Sequence, residues 1–146
     1  MKLTKKQRAE LRGMFDGRCA YCGNELGDRW HADHVEPVRR ELRVVRDDQW
    51  RTRLVQTGAL ERPENDHIGN LMPSCAPCNI RKHAASLEDF RHGMQRALEV
   101  ARAASSAYRH ALRFGLLTEH PGPVVFHFEK VRAALAGVEH TQGVRK

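Results

Sequence analysis

Long apolar runs are missing from this sequence of 146 residues. No stretch approaches the roughly 18 apolar residues that cross a bilayer, and no apolar run follows the basic residues of Met1–Arg8. We therefore expect no membrane association and no signal peptide, which predicts a cytoplasmic protein. Internal repeats and low-complexity segments are also absent. The length fits one small domain with an extension.

Lysine is scarce, with six residues against nineteen arginines, yet the net charge is +7. An excess of positive charge favours a polyanionic partner such as nucleic acid. Arginine suits bidentate phosphate contacts, but a GC-rich genome produces the same bias without any function. The sign of the charge therefore carries more weight than the residue type.

Cysteine is also limited, and its four residues form two Cys-x2-Cys pairs, Cys19/Cys22 and Cys75/Cys78. This spacing lets two thiolates from one tight turn bind a single tetrahedral Zn²⁺. Without an export signal, the pairs predict one structural zinc ion rather than disulfides. The alternative is a redox pair, which usually lies at a strand–helix junction of a thioredoxin-like fold that this sequence does not predict.

Short elements and loops alternate in the first part of the chain. Residues 4–7 fit a capping box for a short amphipathic helix that Gly17 ends. Residues 30–35 predict a strand. Residues 47–56 predict a helix, in which Trp50 is expected to anchor the core, with base stacking as the alternative.

The last third of the chain has the composition of helices. A cap at Ser86 begins a helix predicted over residues 87–114, with a break expected at Ser105. Residues 124–128 predict a strand, and residues 129–136 predict one or two final helical turns.

A second group of polar residues lies near the cysteine pairs. Asn79 and His83 follow the second pair on a predicted helix, four residues apart, so their side chains share one face and can converge on a second ion. Asp33 and His34 lie in the predicted strand, where they point to opposite faces unless the strand bends or ends there.

Three ordered motifs resemble a known family. They are Cys-x2-Cys-Gly at Cys19–Gly23, Trp-His-x-Asp-His-Val-x-Pro at Trp30–Pro37, and Asn-Leu-x3-Cys-x2-Cys-Asn-x2-Lys at Asn70–Lys82. Over roughly residues 15–83 the chain resembles the HNH endonucleases of the ββα-metal class with an added zinc knuckle. The resemblance implies an α+β fold with a zinc-stabilised ββα-metal (His-Me finger, treble-clef-like) core at 1–86. The helical pattern of the last third adds an α-helical extension at 87–146.

The resemblance also assigns catalytic roles. It makes His34 the general base, Asn70 the middle asparagine of the motif, and Asn79 the third position, which is often histidine in the family. An imidazole can take a proton from water near neutral pH, and the side chain or carbonyl of Asn70 is a suitable holder for the ring. The alternatives are a structural role for His34 and a turn-capping role for Asn70.

A catalytic divalent ion is the second implication. The resemblance places it on Asp33 and Asn79, with His83 as a ligand in some relatives and not in others. Oxygen ligands with at most one imidazole suit Mg²⁺ or Mn²⁺. Arg81 and Lys82 are expected to contact phosphate oxygens near the helix N-terminus.

The sequence thus predicts a metal-dependent HNH endonuclease that nicks or cuts double-stranded DNA, leaving 5′-phosphate and 3′-hydroxyl ends as the resemblance implies. One alternative is a zinc-stabilised nucleic-acid-binding module whose ion site is inert. Another makes the long C-terminal helix a docking element for a packaging or replication protein. The resemblance also allows a phage or mobile-element protein as a partner. Sequence specificity and oligomeric state are not indicated.

Overall fold

The computed structural model describes residues 1–142 and divides the chain into two compact units, Met1–Ser86 and Leu87–Lys146. The first unit contains α1 (Lys5–Gly13), β1 (Trp30–His34), β2 (Arg40–Arg46), β3 (Thr52–Leu60), β4 (Leu71–Cys75) and α2 (Ala76–Lys82). The second contains α3 (Leu87–Gln95), α4 (Ala97–Ala104), α5 (Ser106–Arg113) and α6 (His127–Gln142). Six helices and two small antiparallel sheets in the described residues confirm the predicted α+β class.

The first helix begins at the predicted capping box. The Thr4 hydroxyl accepts the Gln7 N–H at 3.2 Å, and the Thr4 N–H donates to the Gln7 side chain at 2.9 Å. Two backbone N–H groups that the helix itself leaves unpaired thus each gain a side-chain acceptor. The helix ends at Gly13, earlier than expected. Gly17, with φ of +73°, then turns the chain toward the first cysteine pair.

Strands β1 and β4 form the sheet that carries the predicted site residues Asp33 and His34. They pair antiparallel, with Asp33 opposite Met72 and His34 opposite Leu71, and α2 begins directly after β4. Strand, strand and helix are therefore adjacent although 36 residues separate β1 from β4 in sequence. The core of this unit is apolar and lies around the first cysteine pair and this sheet: Leu11, Phe15, Cys19, Ala20, Tyr21, Leu26, Trp30, Leu71 and Met72.

The predicted helix over residues 47–56 is wrong, because β2 and β3 form a hairpin in this region. The Asp47 side chain accepts the N–H groups of Gln49 and Arg51, each at 2.9 Å. An aspartate that caps a helix makes the same kind of bond, but here the bonds close a turn. Trp50 lies in this turn with 78% of its surface exposed, so the core-anchor prediction is also wrong.

The second unit has more breaks than predicted. The expected break at Ser105 is confirmed, and its hydroxyl accepts the Tyr108 N–H at 3.1 Å to cap α5. A second break at Arg96 separates α3 from α4. No described helix is both long and apolar enough to cross a membrane.

The strand predicted at residues 124–128 is wrong. The Glu129 carboxylate accepts the Phe126 N–H at 2.9 Å, and α6 begins at His127, because this bond caps a helix rather than extending a strand. Phe126 stacks on Phe90 with ring centroids 5.3 Å apart, so the apolar residues pack as helical core. The helix predicted at residues 129–136 is confirmed within α6.

Candidate metal centre and catalytic cleft

The four cysteine sulfurs form one compact group. All of them lie within 4.8 Å of one another, and the sulfurs of Cys22 and Cys75 are 3.8 Å apart. Tetrahedral Zn–S bonds of about 2.3 Å require sulfurs about 3.8 Å apart. The group can therefore hold zinc, as the sequence predicts, and all four cysteines are free thiols. Gly23, with φ of +78°, allows the tight turn after Cys22.

Hydrogen bonding and burial give these thiols different pKa values. A hydrogen bond with Cys78 lowers the pKa of Cys19 to about 4, whereas burial raises the pKa of Cys22 to about 11. The pKa of Cys78 is raised, first by its hydrogen bond to Cys19. Four crowded sulfurs cannot all be thiolates without a cation between them, so binding of a divalent ion is linked to loss of protons.

Four of the predicted site residues line one cleft in the first unit. Asp33 and His34 come from the end of β1, Asn79 comes from α2, and His83 is the residue directly after α2. The cleft has a volume of about 790 Å³ and is open to solvent. The sheet register and the helix after β4 thus bring together residues that are 45 or more positions apart in sequence. Asn70 is not part of the cleft lining.

A carboxylate holds the His34 ring. Its Nε2 lies 2.9 Å from Oδ1 of Asp66, and both side chains are partly exposed. The Met1 ammonium, and then the His34 ring, hold the pKa of Asp66 below its usual value. Because an ionised carboxylate only accepts hydrogen bonds, this contact puts a proton on Nε2, so that Nδ1 is the nitrogen with the lone pair in the neutral ring. No sequence pattern singles out Asp66, although it lies four residues before the motif residue Asn70.

Asn70 holds the backbone beside this pair rather than the ring. Its buried side chain bonds both the N–H and the carbonyl of Glu36, at 3.0 and 2.9 Å, and donates to the Asn65 carbonyl at 2.8 Å. Its own carbonyl accepts the Val35 N–H at 2.9 Å. The segments after His34 and before Asp66 are therefore tied to one side chain. The expectation of a direct bond to the His34 ring is corrected accordingly.

Asp33 is buried and its Oδ2 atom is fully engaged. It accepts the Tyr21 hydroxyl at 2.5 Å and lies 3.3 Å from the Lys82 ammonium. Burial, and then Asp33, raise the pKa of Tyr21, so the phenol stays a donor. Oδ1 has no partner among the described residues, and since no buried polar side-chain atom there lacks one, solvent reaches it from the cleft.

Lys82 does not face the cleft. Its side chain is fully buried, and the ammonium donates to the His34 carbonyl at 2.6 Å as well as pairing with Asp33. This burial corrects the expectation that Lys82 contacts phosphate. A lysine is seldom buried without a carboxylate partner, and Asp33 is that partner here.

The cationic residues on the cleft are arginines of the segment after β1. Arg39 and Arg40 line it, whereas Arg81 lies on the exposed surface of α2 outside the lining. Arg40 is oriented by a 2.9 Å bond to the Gln56 side chain. The two consecutive arginines after Pro37 were the sequence signal for this feature.

Within the described residues, no second group of three or more His, Cys, Asp or Glu side chains is close enough to hold an ion. Compared with protein-family models, with curated proteins and with solved structures, the chain matches none. Evidence for a function therefore comes from the site itself.

Proposed function

We propose that this protein is a metal-dependent endonuclease of the HNH type that hydrolyses phosphodiester bonds of double-stranded DNA. The observation that carries the proposal is the shared cleft, in which a carboxylate-held histidine lies with Asp33, Asn79 and His83. A protein that only binds nucleic acid has no use for this combination. The positive net charge supports a polyanionic substrate.

His34 is the general base of the proposed reaction. Its Nδ1 takes a proton from the attacking water, while the Nε2–H remains bonded to Asp66. The carboxylate keeps the ring in one orientation and stabilises the imidazolium that forms, as the acidic member of a catalytic triad does. Asn70 acts one step further away, by fixing the backbone on both sides of this pair.

The donor set for a divalent ion is Asp33 Oδ1, the Asn79 amide oxygen and the His83 imidazole. Two oxygens and one nitrogen suit Mn²⁺ or Mg²⁺ better than the zinc that four sulfurs prefer. Bound there, the ion would neutralise charge on the scissile phosphate and stabilise the leaving oxygen. Tyr21 and Lys82 hold Oδ2 of Asp33, which leaves Oδ1 for the cleft.

Arg39 and Arg40 are the phosphate contacts of this proposal, since both line the cleft. Guanidinium groups pair well with phosphate oxygens because two N–H groups can bind at once. The zinc group has no part in the chemistry. It ties the first cysteine turn to the end of β4, where α2 begins, and so holds Asn79 and His83 in place.

Supercoiled plasmid tests the proposal. The zinc-loaded protein should convert it to nicked circles with Mg²⁺ or Mn²⁺ and not without them, and His34→Ala should abolish the conversion. The matched control is His31→Ala, because His31 is an exposed histidine on the same strand and outside the cleft. An intact plasmid with wild-type protein, or equal cutting by His34→Ala, leaves only the zinc-stabilised binding module.

A further inference from the structure

The hairpin of β2 and β3 has a face that continues the cleft outward. Side chains alternate along a strand and pair across it, so one face carries Leu42, Val44 and Arg46 from β2 opposite Gln56, Leu54 and Thr52 from β3. Arg40 lies beyond a register shift and joins this face through its bond to the Gln56 side chain. Arg40, Leu42 and Gln56 of this set also line the cleft. We call it the cleft-side face.

This face is unusually apolar for an exposed surface. Leu42, Val44 and Leu54 are exposed by 51%, 60% and 64%. At its outer end the Arg46 guanidinium lies 5.6 Å from the ring centroid of Trp50, whose side chain is 78% exposed. Such a patch on an isolated ribbon marks a binding surface.

The charges of the hairpin identify the occupant. Arg40 and Arg46 of the cleft-side face have no carboxylate partner among the described residues, and neither do Arg43 and Arg53 of the opposite face. The only ion pair within this described hairpin joins Arg51 to Asp47. Glu41 is bonded to the Thr57 hydroxyl at 2.7 Å. Unneutralised guanidinium groups around an apolar stripe disfavour a second copy of the same face and favour a polyanion.

We infer that the cleft-side face docks along duplex DNA beside the scissile phosphate, with the ribbon in the major groove and Trp50 at its far end. A two-stranded ribbon fits that groove, where arginine can bind guanine edges and aliphatic side chains can contact thymine methyl groups. β2 has seven residues and a length of roughly 20 Å, which covers about six base pairs of duplex. The inference rests on the proposed DNA substrate.

Binding to a fluorescein-labelled 30-base-pair duplex tests it, in the His34→Ala background with Mg²⁺ so that cleavage does not intervene. Arg46→Ala should raise Kd about tenfold and lower the slope of log Kd against log salt by about 1 if the guanidinium meets a phosphate. The matched control is Arg43→Ala, which removes the same charge from the opposite face of β2 and should change Kd less than threefold. Leu54→Ser and Val55→Ser form a second such pair, with about a fivefold loss expected for Leu54→Ser alone.

Tryptophan quenching gives an independent readout. Trp30 is 8% exposed and Trp50 is 78% exposed, so acrylamide quenching of the free protein reports Trp50, and saturating duplex should reduce it. Equal Kd for the Arg46 and Arg43 variants, or unchanged quenching, overturns the inference. So does sedimentation of a dimer that Leu54→Ser dissociates without loss of DNA affinity.

The two proposals fail separately. If wild-type protein nicks plasmid but both faces of the hairpin are equivalent in the binding assay, the docking face is wrong and the nuclease stands. If plasmid stays intact while Arg46→Ala alone weakens binding, the hairpin binds DNA and the cleft does not cut it.

Discussion

The buried ammonium of Lys82 lies 3.3 Å from Oδ2 of Asp33 and 2.6 Å from the carbonyl oxygen of His34. It therefore joins α2 to the end of β1, two of the elements that line the cleft. Removing one partner of a buried ion pair costs about 3–5 kcal/mol, because the other charge is left without compensation.

Lys82→Met should lower the free energy of unfolding by about 3 kcal/mol in urea. Arg81→Met is the matched control, because Arg81 is the exposed neighbour on the same helix, and it should stay within about 0.5 kcal/mol of wild type. Adding Asp33→Asn to Lys82→Met should recover part of the loss, since the unpaired carboxylate is gone. A Lys82→Met protein of wild-type stability with weakened DNA binding would restore Lys82 as a phosphate contact.

Asp66 should act on catalysis through the orientation of His34. A partner that orients a functional histidine contributes from about tenfold, as beside metal ligands, to about 10⁴-fold, as in a catalytic triad. We therefore expect Asp66→Asn and Asp66→Ala each to lower kcat by at least about tenfold, with little change in KM. The Met1 ammonium and His34 depress the pKa of Asp66, so its carboxylate stays ionised throughout neutral and mildly acidic pH. The loss of kcat in Asp66→Asn should therefore be present at pH 8.5 as well as at pH 7, which parallel initial-rate measurements check.

Wild-type kcat in the Asp66→Asn protein at pH 8.5 would mean that the ionised carboxylate is not needed to hold the ring. Glu64→Gln is the matched control, because it removes an exposed carboxylate from the same loop and should leave kcat unchanged. A higher KM with an unchanged kcat would instead assign Asp66 to substrate contact.

Local patterns predicted those parts of the fold that depend on neighbouring residues. The capping box at Thr4, the strand at Trp30–His34 and the break at Ser105 are each determined by a few adjacent side chains. The cysteine spacing likewise predicted the compact sulfur group, because four zinc ligands in two pairs must meet wherever the chain between them runs.

The failures arose where one local signal fits two structures. Asp47 and Gly58 suit the two ends of a helix, but Asp47 equally suits a turn and Gly58 a strand irregularity. The hairpin that contains them is solvated on both faces. Without a buried face, the alternation that identifies a strand is weak. The contact of Asp66 with His34 and the burial of Lys82 depend on residues 32 and 48 positions away, which no local pattern encodes.

Zinc should be required for the first unit to fold. We expect one zinc ion per chain by mass spectrometry under native conditions, and loss of cooperative unfolding after chelation. Cys22→Ser should reproduce the chelated state, whereas Cys22→His, which keeps a zinc ligand at an exposed position, should retain the ion. Cooperative unfolding of the Cys22→Ser protein at the wild-type midpoint would show that the sulfur group is not needed for the fold.

The divalent ion should depend on Asn79 and His83 in different ways. Asn79 is half-buried in the cleft and His83 is exposed at the end of α2, so the amide is the fixed ligand and the imidazole the adjustable one. Asn79→Ala should abolish plasmid nicking, and Asn79→Asp should preserve it, since a carboxylate supplies the same oxygen. His83→Ala should raise the Mn²⁺ concentration for half-maximal rate about tenfold while keeping the rate at saturation, in line with the loss of one ligand. His92→Ala, which removes a histidine of the second unit, should leave both quantities unchanged. If His83→Ala does not change the Mn²⁺ requirement, His83 is not a ligand, and Asp33 and Asn79 are the protein ligands of the ion.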